Sequence, residues 1–218
     1  MKIVFFGGTR YVGKELVNLM EASSHKVYIA SSHKPNFSKK GILFSKLDRT
    51  DKNRVGDLLA EVKPDIIFDN ICFNEYSARI IQDTYAKQLK ACLKHYIMTS
   101  TFYVYNYSKK RECYINFKAH KIKDDYTRNK LAAESSLYNS SLYKIATIVR
   151  FPFVVSHDDY TNRFQKLVKN IRNSKSMQLS PNCKYKMSFI SKSEAAKFMH
   201  RLINSKPSGF VDAALKLI

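Results

Sequence analysis

Apolar and polar positions fall into blocks along this chain. Lys2-Ile3-Val4-Phe5-Phe6 is a short apolar run that stops at Gly7, and Leu16, Val17, Leu19 and Met20 follow at helical spacing. Lys26–Ala30 and Ile42–Phe44 read as a second and a third strand. Val55–Val62 reads as a helix with Leu58, Leu59 and Val62 on one face. Pro64 introduces a fourth strand, Asp65–Asp69. A long helical pattern covers about Glu75–Leu93, and His95–Thr99 is a fifth strand. A helix begins near Asp125 and carries Leu131 to Leu137, and Lys144–Arg150 is a sixth strand. Beyond Pro152 the pattern loosens into a helix at Phe164–Ile171, a short strand at Phe189-Ile190 and a helix at Glu194–Ile203.

Apolar strands alternating with helices predict a parallel sheet covered on both faces, hence an α/β, Rossmann-type doubly wound fold. No repeat or linker divides residues 1–218. They are expected to form a single dinucleotide-binding domain, with about 151–218 adding a small substrate-side cap.

The first strand, the glycine-rich turn Gly7-Gly8-Thr9-Arg10-Tyr11-Val12-Gly13 and the following helix have the layout of a dinucleotide phosphate site. Glycines allow the backbone close to a pyrophosphate, and the helix N-terminus offers N–H groups and partial positive charge. Ligands of such sheets lie at the carboxyl ends of the strands. After the fifth strand comes Thr99-Ser100-Thr101, and the next helix carries Tyr126 and Lys130, four apart and therefore on one face. An ammonium beside a phenol depresses the phenol pKa and can hold a nicotinamide ribose. A nearby hydroxyl can bind the substrate oxygen while a cofactor moves a hydride. His157 and Arg163 follow the sixth strand in the expected substrate region, where Arg163 could hold a diphosphate.

Composition adds limits. The chain has 218 residues and a formal charge of +20, which favours anionic partners. The basic residues are spread out, with small clusters at Lys109–Arg111 and Lys118–Lys123, and none resembles a nucleic-acid arm. The 4 cysteines, Cys72, Cys92, Cys113 and Cys183, form no C-x-x-C pair, which fits a reducing, cytoplasmic setting. The 6 histidines show no metal-ligand spacing, so no metal site is expected. No signal peptide and no membrane-spanning run is read.

In order, these motifs resemble the extended short-chain dehydrogenase/reductase superfamily, in its NAD-dependent epimerase/dehydratase group and the branch whose loop reads G-G-T-R-x-x-G. Thr99-Ser100-Thr101 with Val104-Tyr105 resembles the S-S-S-x-x-V-Y segment, which puts Thr101 in the catalytic hydroxyl slot. Tyr126 and Lys130 match the Y-x-x-x-K pair. Val149-Arg150-Phe151-Pro152 resembles the L-R-x-P strand end, and Ser188–Ala196 the F-I-x-x-x-D-x-A segment, with Glu194 in place of the aspartate. The resemblance implies cofactor contacts from Gly7–Gly13, from the adenine turn at Asp48 and Arg49, from Asn70 after the fourth strand, and from Lys130. The acidic residue that would bind a ribose 2′-hydroxyl is absent. Ser31-Ser32-His33-Lys34 stands there, which suits a 2′-phosphate and favours NADP over NAD.

The resemblance therefore implies an NAD(P)-dependent oxidoreductase or epimerase acting on a sugar nucleotide or related anionic metabolite, with Tyr126 as general acid/base. Phe102 after Thr101 counts against dehydration. The same branch is similar to chloroplast stem-loop-binding proteins, so RNA binding is an alternative, and a non-catalytic NADP sensor is another. Family members pair through two long helices, here about Glu75–Leu93 and Asp125–Tyr138, which implies a homodimer.

Overall fold

The computed structural model describes residues 1–21, 23–37, 40–106, 124–159, 161–173 and 188–213, with the side chains of Arg163 and Leu167 left aside. Cys113, Cys183 and the basic clusters at 109–111 and 118–123 lie outside the described residues.

The elements run β1 (Lys2–Phe6), α1 (Tyr11–Leu19), β2 (Lys26–Ser31), β3 (Ile42–Lys46), α2 (Lys52–Val62), β4 (Ile66–Asp69), α3 (Glu75–Thr84), β5 (His95–Thr101) and α4 (Asp125–Tyr138). They continue with β6 (Ala146–Phe151), β7 (Phe153–Val155), α5 (Arg163–Arg172), β8 (Phe189–Ser191), α6 (Lys192–Ser205) and β9 (Gly209–Asp212). Seven strands form one sheet in the order β3-β2-β1-β4-β5-β6-β9. Every neighbouring pair is parallel. This is the Rossmann-type fold the alternation predicts. The strand order reverses between β1 and β4, which opens a crevice at their carboxyl ends. β7 and β8 form a separate parallel pair.

Period-two alternation assigns each strand residue to one of two buried layers. Ile3, Phe5, Ile66, Phe68, Ile97 and Val149 pack with α1 and α6, whereas Val4, Phe6, Ile67, Tyr96, Met98 and Ile148 pack with α2, α3 and α4. Four helices start on a side-chain cap. Asp51, Asn74, Asp124 and Ser191 accept from the N–H of Arg54, Ser77, Thr127 and Glu194. The pattern expected as one helix over Glu75–Leu93 is α-helical only to Thr84 and then widens into a π-turn at Tyr85–Leu89. Of residues 151–218, α6 packs on α1 and β9 pairs with β6. β7, α5 and β8 stand beside the carboxyl ends of the main sheet.

Two charged pairs are buried between sheet and helices. Arg150 binds Glu134 of α4 through Nε at 3.2 Å and Nη2 at 2.9 Å. Its guanidinium lies between the rings of Tyr105 and Phe210, at 4.8 and 4.6 Å from their centroids. Arg49 binds Asp69 at 2.5 Å and the Ser77 carbonyl at 2.9 Å. Burial offsets much of the Coulomb gain of such pairs, yet removing one partner strands the other charge and costs about 3–5 kcal/mol.

His95 at the start of β5 is 1% exposed. Thr147 Oγ1 donates to the Pro207 carbonyl, so His95 Nε2 carries a proton and donates to Thr147 Oγ1 at 2.7 Å. Burial lowers the imidazole pKa from 6.5 to about 4. The unfolded chain therefore binds the extra proton between those two values, and stability falls as pH drops through that window, by about 3 kcal/mol at most. Urea unfolding from pH 7 to 4 should show this loss in the wild type and a shallower one in His95→Gln, whose amide can still donate to Thr147. Equal slopes would contradict the assignment.

Candidate functional site

The turn after β1 is held tightly. Gly7 has φ +83°, which favours glycine. A Cβ on Gly13 would lie 2.0 Å from the Gly7 carbonyl oxygen, so α1 approaches the strand end as closely as only glycine allows. Gly8 turns inward against Val17 and Ile29. Arg10 is extended and supplies no side-chain cap, and the first N–H that returns to the helix is that of Lys14, on the Arg10 carbonyl. Tyr11 has φ +49°, a left-handed conformation that costs a tyrosine about 1 kcal/mol. Its hydroxyl donates to the Val154 carbonyl at 2.7 Å.

A cleft of about 550 Å³ runs along the carboxyl ends of the strands. Gly7 and Thr9–Gly13 line one wall, and Ser31–His33 with Asp48–Thr50 close one end. Asn70, Ile71, Phe73 and Asn74 lie in the middle. Thr99–Thr101, Tyr103, Tyr126 and Phe151–Val154 form the other end. Most residues expected to hold a cofactor thus meet in one crevice. Gly8 and Lys34 do not line it, since Gly8 is buried and Lys34 is exposed elsewhere.

Individual partners refine the picture. Ser31 Oγ lies 3.4 Å from Thr9 Oγ1, and Ser32 Oγ 2.9 Å from His33 Nδ1. The Asp48 carboxylate accepts from the Thr50 N–H and hydroxyl, which hold its pKa below the ordinary value. Arg49 lines the cleft but directs its guanidinium inward to Asp69, over the Phe6 ring at 4.7 Å. Asn70 Oδ1 accepts from Thr99 Oγ1 at 2.8 Å.

Lys130 is 2% exposed and lies under the cleft floor. Its Nζ donates to the carbonyls of Cys72 at 3.0 Å and Thr99 at 2.8 Å, and lies 5.1 Å from the Phe73 ring centroid. Burial lowers its pKa, and the fields of Cys72, Asp69 and Glu134 oppose that shift. One turn earlier, Tyr126 is 46% exposed and lines the cleft. Thr101 is 6% exposed, lines the same end, and accepts the Tyr103 N–H at 3.2 Å. The arrangement offers a phenol and a hydroxyl to a ligand above a buried ammonium. Cys72 supplies no competing nucleophile, because burial and the Asp69 carboxylate push its thiol up to about 12.

A second cavity, of about 610 Å³, lies between the exit of β7 and α5. His157 lines it with Phe164, Val168, Lys169 and Arg172. Gln165 Nε2 ties α5 to the carbonyls of Ser156 and His157 at 3.0 and 2.9 Å. Arg163 opens α5, but its side chain lies outside the described residues. Reading the sequence missed Phe73, Tyr103, Phe153, Lys169 and Arg172. The rule that ligands meet strand ends would have found Phe73 after β4 and Phe153 after β6. Among the described residues no three His, Cys, Asp or Glu side chains gather for a metal, and no helix is long and apolar enough to cross a membrane.

The sequence pattern of the NAD dependent epimerase/dehydratase family matches residues 3–212. No curated protein sequence matches the chain. Among solved structures, it is similar to the Bordetella bronchiseptica enzyme WbmG in complex with NAD and UDP, with TM-score 0.72 and 14% identity over 97% of this chain and 72% of that one. It is also similar to the UDP-Glc/GlcNAc 4-epimerase of Campylobacter jejuni, with TM-score 0.68 and 17% identity over 98% of this chain and 78% of that one. A third is dTDP-glucose 4,6-dehydratase from Bacillus anthracis in complex with NAD, with TM-score 0.72 and 13% identity over 100% of this chain and 76% of that one.

Two glycines give opposite expectations. Gly13→Ala must push the turn apart and should lower unfolding free energy by about 1–3 kcal/mol. Gly56 in α2 has open space where a Cβ would stand, so Gly56→Ala should raise it by about 0.5–1 kcal/mol. Denaturant melts of both variants check this, and a neutral Gly13→Ala would contradict the tight turn.

Proposed function

This chain belongs to the NAD-dependent epimerase/dehydratase family, and we propose that it is an oxidoreductase or epimerase that binds NAD(P) along the cleft and acts at a carbinol or carbonyl carbon of a sugar nucleotide. The observation that carries this reading is the meeting of the glycine turn, Thr101 and Tyr126 in one crevice, with the Lys130 ammonium beneath it. The turn that Gly13 lets close against Gly7 leaves the start of α1 lining the cleft, where its N–H groups can meet a pyrophosphate. The bound nicotinamide supplies the hydride acceptor or donor.

The chain's own residues manage the proton. Tyr126 takes it from the substrate hydroxyl, or returns it to a carbonyl oxygen, from its place at the cleft mouth. Thr101 donates to that oxygen and orients it. Lys130, held off from water, keeps positive charge beneath the site and favours the phenolate. Epimerisation and simple reduction share this step. Dehydration also needs an acid beside the hydroxyl, and Phe102 follows Thr101 instead.

The second cavity supports this substrate class. It lies at the exit of β7, one residue on from Val154 of the cleft, and His157, Lys169 and Arg172 on its walls suit a diphosphate. The similar Bordetella enzyme is described with UDP bound. At the far end of the cleft, Ser31 ends β2 and Ser32 and His33 follow it, with no carboxylate among them, and Arg10 lines the adjoining wall. This set suits a 2′-phosphate and favours NADP.

Removing the Tyr126 hydroxyl should leave dinucleotide binding within about threefold and cut hydride transfer by about 10²–10⁴. Nicotinamide absorbance with UDP-glucose as the substrate probe follows it. A Tyr126→Phe protein with full turnover would contradict the role. Calorimetric titration should show NADP binding roughly fivefold tighter than NAD, about 1 kcal/mol, with the difference lost in Arg10→Ala. Tighter binding of NAD would contradict the 2′-phosphate assignment.

A further inference from the structure

Tyr11 stands where the backbone favours glycine, at φ +49°, in the middle of the phosphate turn. A tyrosine persists in such a conformation when its surroundings over-determine it. Its hydroxyl reaches across 143 residues of sequence to the Val154 carbonyl at 2.7 Å. Val154 belongs to β7, which lines the substrate end of the cleft and leads into the second cavity. β7 is bonded to β8, with Val154 opposite Ile190, and the Phe153 and Phe189 rings meet at 5.8 Å. Gln165 carries the connection on to α5. A second tie runs nearby, since Lys192 at the start of α6 binds Asp158 at 2.6 Å and lies 3.7 Å from Glu15 of α1.

We infer that Tyr11 is a positioning residue that links the dinucleotide turn to the substrate-side strand pair, so that filling the turn steadies β7 and β8. The inference rests on the dinucleotide reading above. Its physical basis is that Tyr11 joins the phosphate-turn wall of the cleft to its substrate end through one covalent unit. Its backbone lies in the turn that meets the phosphates, and its hydroxyl holds the strand that meets the substrate. A ligand that fixes the backbone fixes the ring, and the ring fixes Val154. By linkage, a ligand on β7 tightens the turn in return.

Amide hydrogen exchange with saturating NAD as the probe tests this without any substrate. In the wild type, NAD should slow exchange in peptides covering Gly7–Gly13 and, about threefold or more, in those covering Phe153–Val155 and Phe189–Ser191. In Tyr11→Phe, protection of the turn should persist while that of the strand pair falls to less than half. Lys192→Met, which removes the other tie, should keep strand-pair protection. Equal protection of β7 and β8 in Tyr11→Phe and wild type would overturn the inference, as would its loss in Lys192→Met alone. Absence of protection at Gly7–Gly13 in the wild type would instead speak against the dinucleotide reading itself.

Discussion

The buried ammonium of Lys130 is the constraint on which the site depends. An ion that is 2% exposed must satisfy its donors inside the protein, at a desolvation cost of several kcal/mol otherwise. Two of its donors go to the carbonyls of Cys72 and Thr99, just beyond β4 and within the end of β5. These bonds fix how α4 is rotated and how far it slides along the sheet. Tyr126 lies four residues earlier on the same face, about 6 Å along the axis, and is thereby delivered to the cleft mouth.

The charges around this ammonium form a closed set. Arg49 has Asp69 and Arg150 has Glu134, each pair buried. Lys130 is left with carbonyl oxygens and the fields of neighbouring carboxylates. Two arginines with carboxylate partners thus brace β4 and β6, while among the described residues the Lys130 ammonium between them donates to carbonyl oxygens and to no carboxylate. In the proposed reaction, that charge would stabilise a developing phenolate on Tyr126 above it.

Much of this was legible in the sequence, for physical reasons. The strands β1, β2, β4 and β5 are short apolar runs that need cover on both faces, and their order gives the sheet. The glycine turn is readable because Gly7 and Gly13 answer to steric demands that no other residue meets. β9 was not legible. Gly209–Asp212 is four half-buried residues on a sheet edge, with no run long enough to stand out. The widening of α3 at Tyr85–Leu89 leaves the apolar spacing intact, so the pattern reads as one helix. Spacing puts Tyr126 and Lys130 on one face but says nothing of depth. Thr127, Lys130 and Glu134 are buried polar residues on α4, and their burial depends on partners in β4, β5 and β6. Tyr11 is the clearest case. Its left-handed backbone and its bond to Val154 are invisible in sequence, because the two residues are brought together only by the fold.

The central claim is that a nicotinamide ring rests beside the Tyr126 phenol. Carbon-13 labelling at tyrosine Cζ tests it directly, with the Tyr126 resonance assigned by its absence in Tyr126→Phe. The account predicts that saturating NAD or NADP shifts that resonance, while the resonance of Tyr28, which packs within β2 on the core layer of α2 and does not line the cleft, stays in place. A dinucleotide that binds while the Tyr126 resonance stays unmoved would contradict it.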